Sequence, residues 1–440
     1  MKYLLPALLF LFAFKGNPQY VERDIKSFGA KGDGVTNDHD AFVRAAEFFN
    51  ARGGNGKLII SKGVYIIGKQ KFNRNATDKP VYEGSDLLNF KNVENLVITG
   101  VTGTVLKYES GLRYGSFDPA TGLPNNNAGN FFKGNYIAMI GNVFSFTNSR
   151  NIQVKNLELN GNSDAIIKGA IWGDTGIQLA HSGIYITNCT SVSVDKVRVH
   201  HFGLDGMVVT NNTGSDPNPD RIEISNSSFD FNGRQGLSWV GGNDLSATNC
   251  KFNNTGKGKI SSAPGAGVDI EAEVGKVTNG KFIGCEFVNN SGCGLVADSG
   301  PSSNCTFTDC TFWGVTMWSA WVNKPGFTFN RSNFYGSFVH GYDASNNSEA
   351  TKFYDCLFED KSYNGQEPYG NFLIETNYKK RMLLNNCTLI AHKKRLFWME
   401  TRSDLPPNQK YQVINCRFYQ GGQPVPIEKF KPNPFVNFQG

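Results

Sequence analysis

A degenerate six-residue unit, apolar-x-Asn-z-x-apolar, recurs from residue 93 to residue 418 and leaves few folds open to this chain. It reads VENLVI at 93, VKNLEL at 154, VDKVRV at 194 and ISNSSF at 224. It returns as ATNCKF at 247, FIGCEF at 282, FTDCTF at 307, FNRSNF at 329, FYDCLF at 353, LNNCTL at 384 and VINCRF at 413. From Val197 to Cys416 the fourth place recurs every 22 to 35 residues, the period of a solenoid. Apolar residues two apart are strand periodicity, and beyond the N-terminal segment no helical pattern of 10 residues intervenes. The expected fold is therefore all-β: a single-stranded parallel β-helix of about eleven or more coils, stacked about 4.8 Å apart. Crossovers between parallel strands are right-handed, so the coil is expected to be right-handed. Six of the nine cysteines (Cys250, Cys285, Cys310, Cys356, Cys387 and Cys416) share the fourth place, as an interior stack of small thiols would.

The ends and the interruptions give the domain plan. Residues 38 to 51 place Phe42, Ala45, Ala46 and Phe49 on one helical face after Asn37 or Asp38 as cap, and such a helix suits the open end of a solenoid. Lys57–Ser61 and Val64–Ile67 read as strands around a tight turn. The plan is a leader at 1–16, a cap with the first coils at 20–100, a β-helix at 101–420 with a long loop insertion near 107–150, and an irregular tail at 421–440 that covers the far end.

The stretch FGAKGDGVTND, followed by the helix and KLIISKGVYIIG, resembles the start of the pectate lyase superfamily module of rhamnogalacturonase-like and epimerase-like proteins, which have the pectin-lyase-like right-handed β-helix fold. The resemblance covers the cap in detail and the rest of the chain as architecture. It implies an exported protein that acts on polysaccharide by hydrolysis, β-elimination or epimerisation. The consecutive NTD, DD, GHG and RIK signatures of polygalacturonases are missing, so no catalytic residue carries over from them.

Composition excludes other classes. With 44 Lys and Arg against 38 Asp and Glu, the net charge of +6 is too slight for a nucleic-acid binder. No Cys/His spacing suits zinc, and nine cysteines cannot all pair. Residues 1 to 16 carry a charged start and an apolar middle without an A-x-A site, as in a secretory leader, and no later run reaches the 18 apolar residues of a membrane span. A secreted or periplasmic location is expected.

Candidate chemistry comes from a second repeated strand introduced by glycine. Aligning Gly206, Gly236, Gly267 and Gly294 turns Asp269, Glu271 and Glu273 outward, with Asp205, Arg234 and Gln235 in the preceding loops and Asp298 one coil later. Attachment points about 6.6 Å apart for Asp269 and Glu271, and some 10 Å for Asp205 and Asp269, suit an inverting glycosidase pair, with Arg234 to hold a uronate or a hydroxyl. Asp205 in GLDG equally suits an Asx turn, and VDIEAE a solvated face or a calcium site. A lyase or C5-epimerase would use His201, His200 or Arg234 as base, with calcium as the one cofactor to consider; hydrolysis requires none. Trp318 and Trp321, with Trp313, could stack on sugars, and His340, Tyr342 and Asp343 could line the groove further along. The leading expectation is a glycoside hydrolase on a plant or microbial, uronate-containing or neutral glycan; a lyase or epimerase, and a non-catalytic tailspike-like solenoid, are the alternatives.

Overall fold

The computed structural model describes residues 19–126, 133–170, 178–214, 216–342, 348–376, 382–399, 411–430 and 436–439. The leader at 1–16 and Asp343 lie outside the described residues. Within them, strands pair in parallel from coil to coil and wind a three-faced β-helix. One coil shows the plan: Asp205–Thr210 on the first face, Ile222–Ser225 on the second, Ser228–Asp230 on the third. No described helix is long and apolar enough to cross a membrane.

The repeated unit is a corner rather than one strand. Its third place (Asn95, Asn156, Lys196, Asn226, Asn249, Gly284, Asp309, Arg331, Asp355, Asn386 and Asn415) has φ between +45° and +61° in every coil. Asparagine tolerates this left-handed conformation best among residues with a β-carbon, which is why it recurs there. The turn swings the chain from the second face to the third, and the fourth place then points inward. Cys250, Cys285, Cys310, Cys356 and Cys387 are buried free thiols there, as expected, while Cys416 is half-buried. Each thiol can donate to the carbonyl two residues back, as Cys250 does to Thr248 (3.3 Å) and Cys310 to Thr308 (3.4 Å).

The unit's two apolar ends build two phenylalanine stacks inside the coil. Phe282, Phe307, Phe329 and Phe353 stack at 4.7, 5.0 and 5.1 Å. Phe287, Phe312, Phe334 and Phe358 stack at 4.5, 4.9 and 4.8 Å. In-register parallel pairing forces like onto like, so each coil extends one continuous core.

The N-terminal helix is His39–Ala51, and it caps as expected. Phe42 meets Tyr65 edge-on at 5.5 Å, and Asn50 completes the open edge of the first face, donating to the Asn89 carbonyl (2.7 Å) and accepting from the Lys91 N–H (3.0 Å). Asn37 accepts from the His39 N–H (3.0 Å), whereas Asp38 accepts from the Lys31 and Gly32 amides (2.7 and 2.9 Å) and so fixes the glycine-rich loop.

Two parts of the domain plan need correction. The insertion near 107–150 is not merely a loop: Arg113–Ser116 and Ile137–Met139 join Gln70–Phe72, Tyr82–Gly84 and Ile167–Gly169 in a five-stranded side sheet. The tail is not merely irregular either, because Val436–Gln439 pairs with Tyr411–Ile414 as a further rung.

Candidate functional site

The first face carries the glycine-introduced strands, in the register expected. Met207, Leu237, Val268, Leu295 and Ala320 stack in the core, and Ser238, Asp269, Val296, Trp321, Val339 and Glu375 form the adjoining row. A β-carbon on Gly206 would lie 3.0 Å from the Phe229 ring, and one on Gly236 3.4 Å from Phe252, so the glycines also face inward. Two successive inward residues break the alternation by one step. Residues on both sides of the glycine pair therefore face out, which lets Gln235 of one coil reach Asp269 of the next.

Two buried polar pairs result. Arg234 donates through Nε and Nη2 to the two oxygens of Asp205 (2.9 and 2.6 Å). Asp205 is 0% exposed and Arg234 7%. Gln235 Nε2 donates to Asp269 Oδ2, and Asp269 is likewise 0% exposed. Burial first, and then the neighbouring Glu271 carboxylate, push Asp269 well above the ordinary carboxylate range and favour its protonated form. Among the described residues, Asp269 Oδ1 and Gln235 Oε1 find no partner. Glu271 is half-buried, and Glu273 and Asp298 are exposed.

Two of the expected roles change with this geometry. Arg234 is spent on Asp205 and so is not poised to hold a uronate, and Asp205, tied and closed to solvent, is not poised to direct a water. The bidentate pair instead fixes the floor of the site. Tyr114 of the side sheet packs over this end, against Gly203, and donates to the Leu179 carbonyl (2.9 Å). His181 lies beneath, its ring 5.6 Å from that of Tyr114, and burial pushes it down to about 3.

His201 does not line the first face. It occupies the left-handed corner after the third face (φ 57°), with Nδ1 2.7 Å from His200 Nδ1, Nε2 3.5 Å from Asp164 and its ring stacked on Phe231. His200 stands on the third face, 3.2 Å from Glu158. A groove of about 600 Å³ opens near there, lined by Glu158, Lys196, Arg198 and Lys251, away from the acid cluster. Its Arg198 and Lys251 already pair with Glu158 (3.5 Å) and Glu286 (3.2 Å), so it is the weaker candidate.

Trp318 and Trp321 do come together, with ring centroids 4.7 Å apart, and His340 meets Trp321 at 4.0 Å. Trp321 is two coils from Asp269 in the same row, about 10 Å away. Tyr185 and Glu375, both half-buried, share the Asp269 register and escaped the sequence reading. Gly183-Ile184-Tyr185 repeats the glycine signal one coil earlier; Glu375 follows Leu373-Ile374 and carries no such signal.

Residues 143–324 match a family described as the right handed beta helix region. Among solved structures the chain is similar to the A-module of mannuronan C-5 epimerase AlgE4 from Azotobacter vinelandii (16% identity, TM-score 0.49, 96% of this chain and 100% of that one). It is similar to the Dettilon tailspike protein (11%, 0.50, 91% and 68%) and to the catalytic unit of the α-1,3-glucanase of Streptomyces thermodiastaticus (11%, 0.47, 92% and 71%). No curated protein matches the chain in sequence. The fold is a right-handed parallel β-helix.

Proposed function

We propose that this right-handed β-helix is an exported enzyme that hydrolyses a polysaccharide laid along its first face. One observation carries the reading: Asp269, a carboxyl group whose charge burial and Glu271 disfavour, stands two residues from Glu271 and two coils from Trp321 in the same row, and Trp321 meets Trp318. Stacking on tryptophan holds a sugar by its C–H face, and hydrolysis of the next linkage needs one carboxylic acid and one carboxylate. Asp269 supplies the proton to the leaving oxygen and Glu271 directs the water. Gln235 positions Asp269 through its side-chain amide, and the Arg234–Asp205 pair lies close enough to act on its charge. Asp269 is closed to solvent, so transfer of its proton to substrate requires this face to open. The fold is shared with a mannuronan epimerase module and an α-1,3-glucanase, but fold alone fixes no substrate.

Elimination or epimerisation is the second reading, favoured by Tyr185, which lies close enough to Asp205 and Arg234 for both to perturb its phenol. Burial raises that phenol, so less of it is present as the phenolate that would abstract a proton. Among the described residues, no group of three or more His, Cys, Asp or Glu side chains is placed to hold a metal ion.

A panel of neutral and acidic polysaccharides, assayed for reducing ends and for unsaturated products absorbing in the near ultraviolet, tests the proposal. Hydrolysis predicts reducing ends alone, lost in Asp269→Asn and Glu271→Gln. Unsaturated ends would establish elimination, an altered uronate epimer ratio without either product would establish epimerisation, and retention of a glycan with none of these changes would make the chain a binding solenoid.

A further inference from the structure

Aromatic rings continue from the platform round a corner of the coil, onto the third face. There Trp313 and Tyr335 occupy neighbouring rungs in register, with centroids 4.4 Å apart. The segment 360–370 straps the corner. Near its start Tyr363 meets Trp313 edge-on at 5.2 Å, and Trp313 Nε1 donates to the Lys361 carbonyl (3.0 Å). Near its end Tyr369 meets Trp318 at 5.7 Å, and its N–H donates to the Gly314 carbonyl (3.0 Å). Trp318 leads to Trp321 and so into the row of Asp269.

These rings do not close the core, which the phenylalanine stacks already fill. Phe312 and Phe334 point in, while their neighbours Trp313 and Tyr335 stand on the outward row, half-buried. Tyr369 is 42% exposed. The surface also carries a polar handle: Lys361 holds its ammonium 5.6 and 5.4 Å from the Trp313 and Tyr335 ring centres. Flat rings edged with hydrogen-bonding atoms, spaced along a track, match successive sugars better than a broad aliphatic patch would. Lys361 is exposed, and its flexible stem lets the ammonium swing off the rings.

We propose that Tyr335, Trp313 and Tyr363 form remote subsites that hold the glycan chain beyond Trp318 and Trp321, so that long chains bind round the corner and short ones do not. This inference rests on the first face being the glycan groove.

The test is native affinity electrophoresis of the full chain through gels containing alginate, polygalacturonate, xylan, or an α- or β-glucan, with and without competing short oligomers of each. Wild-type protein is expected to be retarded by at least one polymer, and Trp313→Ala and Tyr335→Ala each to weaken that retention roughly three- to tenfold. Trp313→Phe, which keeps a ring, should restore most of it, and an unchanged melting temperature checks that the variants stay folded. Competition by oligomers of three or four sugars should remain at wild-type strength in every variant. Full retention in both alanine variants, or no retention of the wild type by any polymer, would overturn the proposal. Loss of turnover but not of retention in Glu271→Gln keeps the two readings apart, because chemistry then fails while the belt still binds.

Discussion

Asp269 carries a charge only at a cost, because of burial and the neighbouring Glu271, and the consequence is measurable without knowing the substrate. Its folded value stands well above the ordinary 3.8, with burial the first cause and Glu271 the second. A group raised on folding contributes stability that is intact below about its unfolded value and lost as pH rises through the folded one. Asp269→Asn removes that loss. Its melting temperature should exceed the wild type's at neutral and mildly alkaline pH, with the gap closing as pH falls towards 4; a gap that is flat with pH would contradict the assignment. Arg234 and Asp205 behave differently, because their charges cancel. Arg234→Met leaves a buried carboxylate without its partner and should cost roughly 3–5 kcal/mol in urea unfolding, much of it recovered by pairing it with Asp205→Leu.

At the scale of elements, the left-handed corner is what the repeat encodes. Asn156 has φ 59°, so Asn156→Gly should leave stability within about 0.5 kcal/mol, while Asn156→Val should lose roughly 1–2 kcal/mol by urea titration. The corner was half legible. The unit's spacing gave its recurrence and the inward cysteines, because each coil repeats the same environment. It read as one strand, since a single residue with positive φ leaves the apolar alternation on either side looking continuous. The glycine-introduced strand was legible in register, and with it the turn of Asp269 away from the coil interior, though not its closure to solvent. The slip at Gly206–Met207 was not, because nothing in the local pattern distinguishes an inward glycine from an outward one. For the same reason the Arg234–Asp205 pair was unforeseen: it joins residues 29 apart in chain that only the slip turns to the same side.

Across the whole molecule, periodicity decided the architecture. In-register stacking turns each FxxCxF segment into a layer of a continuous core, and the capping helix with Asn50 ends it. What periodicity cannot show is anything that happens once. The side sheet joins strands of three or four residues from 70 to 169, too short and scattered to leave a pattern, yet it supplies Tyr114 over the acid cluster. His201 shows the converse, a residue singled out for its place before GLDG that the corner directs elsewhere. The proposed hydrolase activity requires the first face to be a site of glycosidic cleavage. Its most direct test is reducing-end release from the polysaccharide panel by wild type and by Asp269→Asn, compared at a temperature where both are folded. The account predicts release by the wild type and a loss of at least about a hundredfold, the usual worth of general acid catalysis, in the variant. Equal release by the two proteins would contradict it.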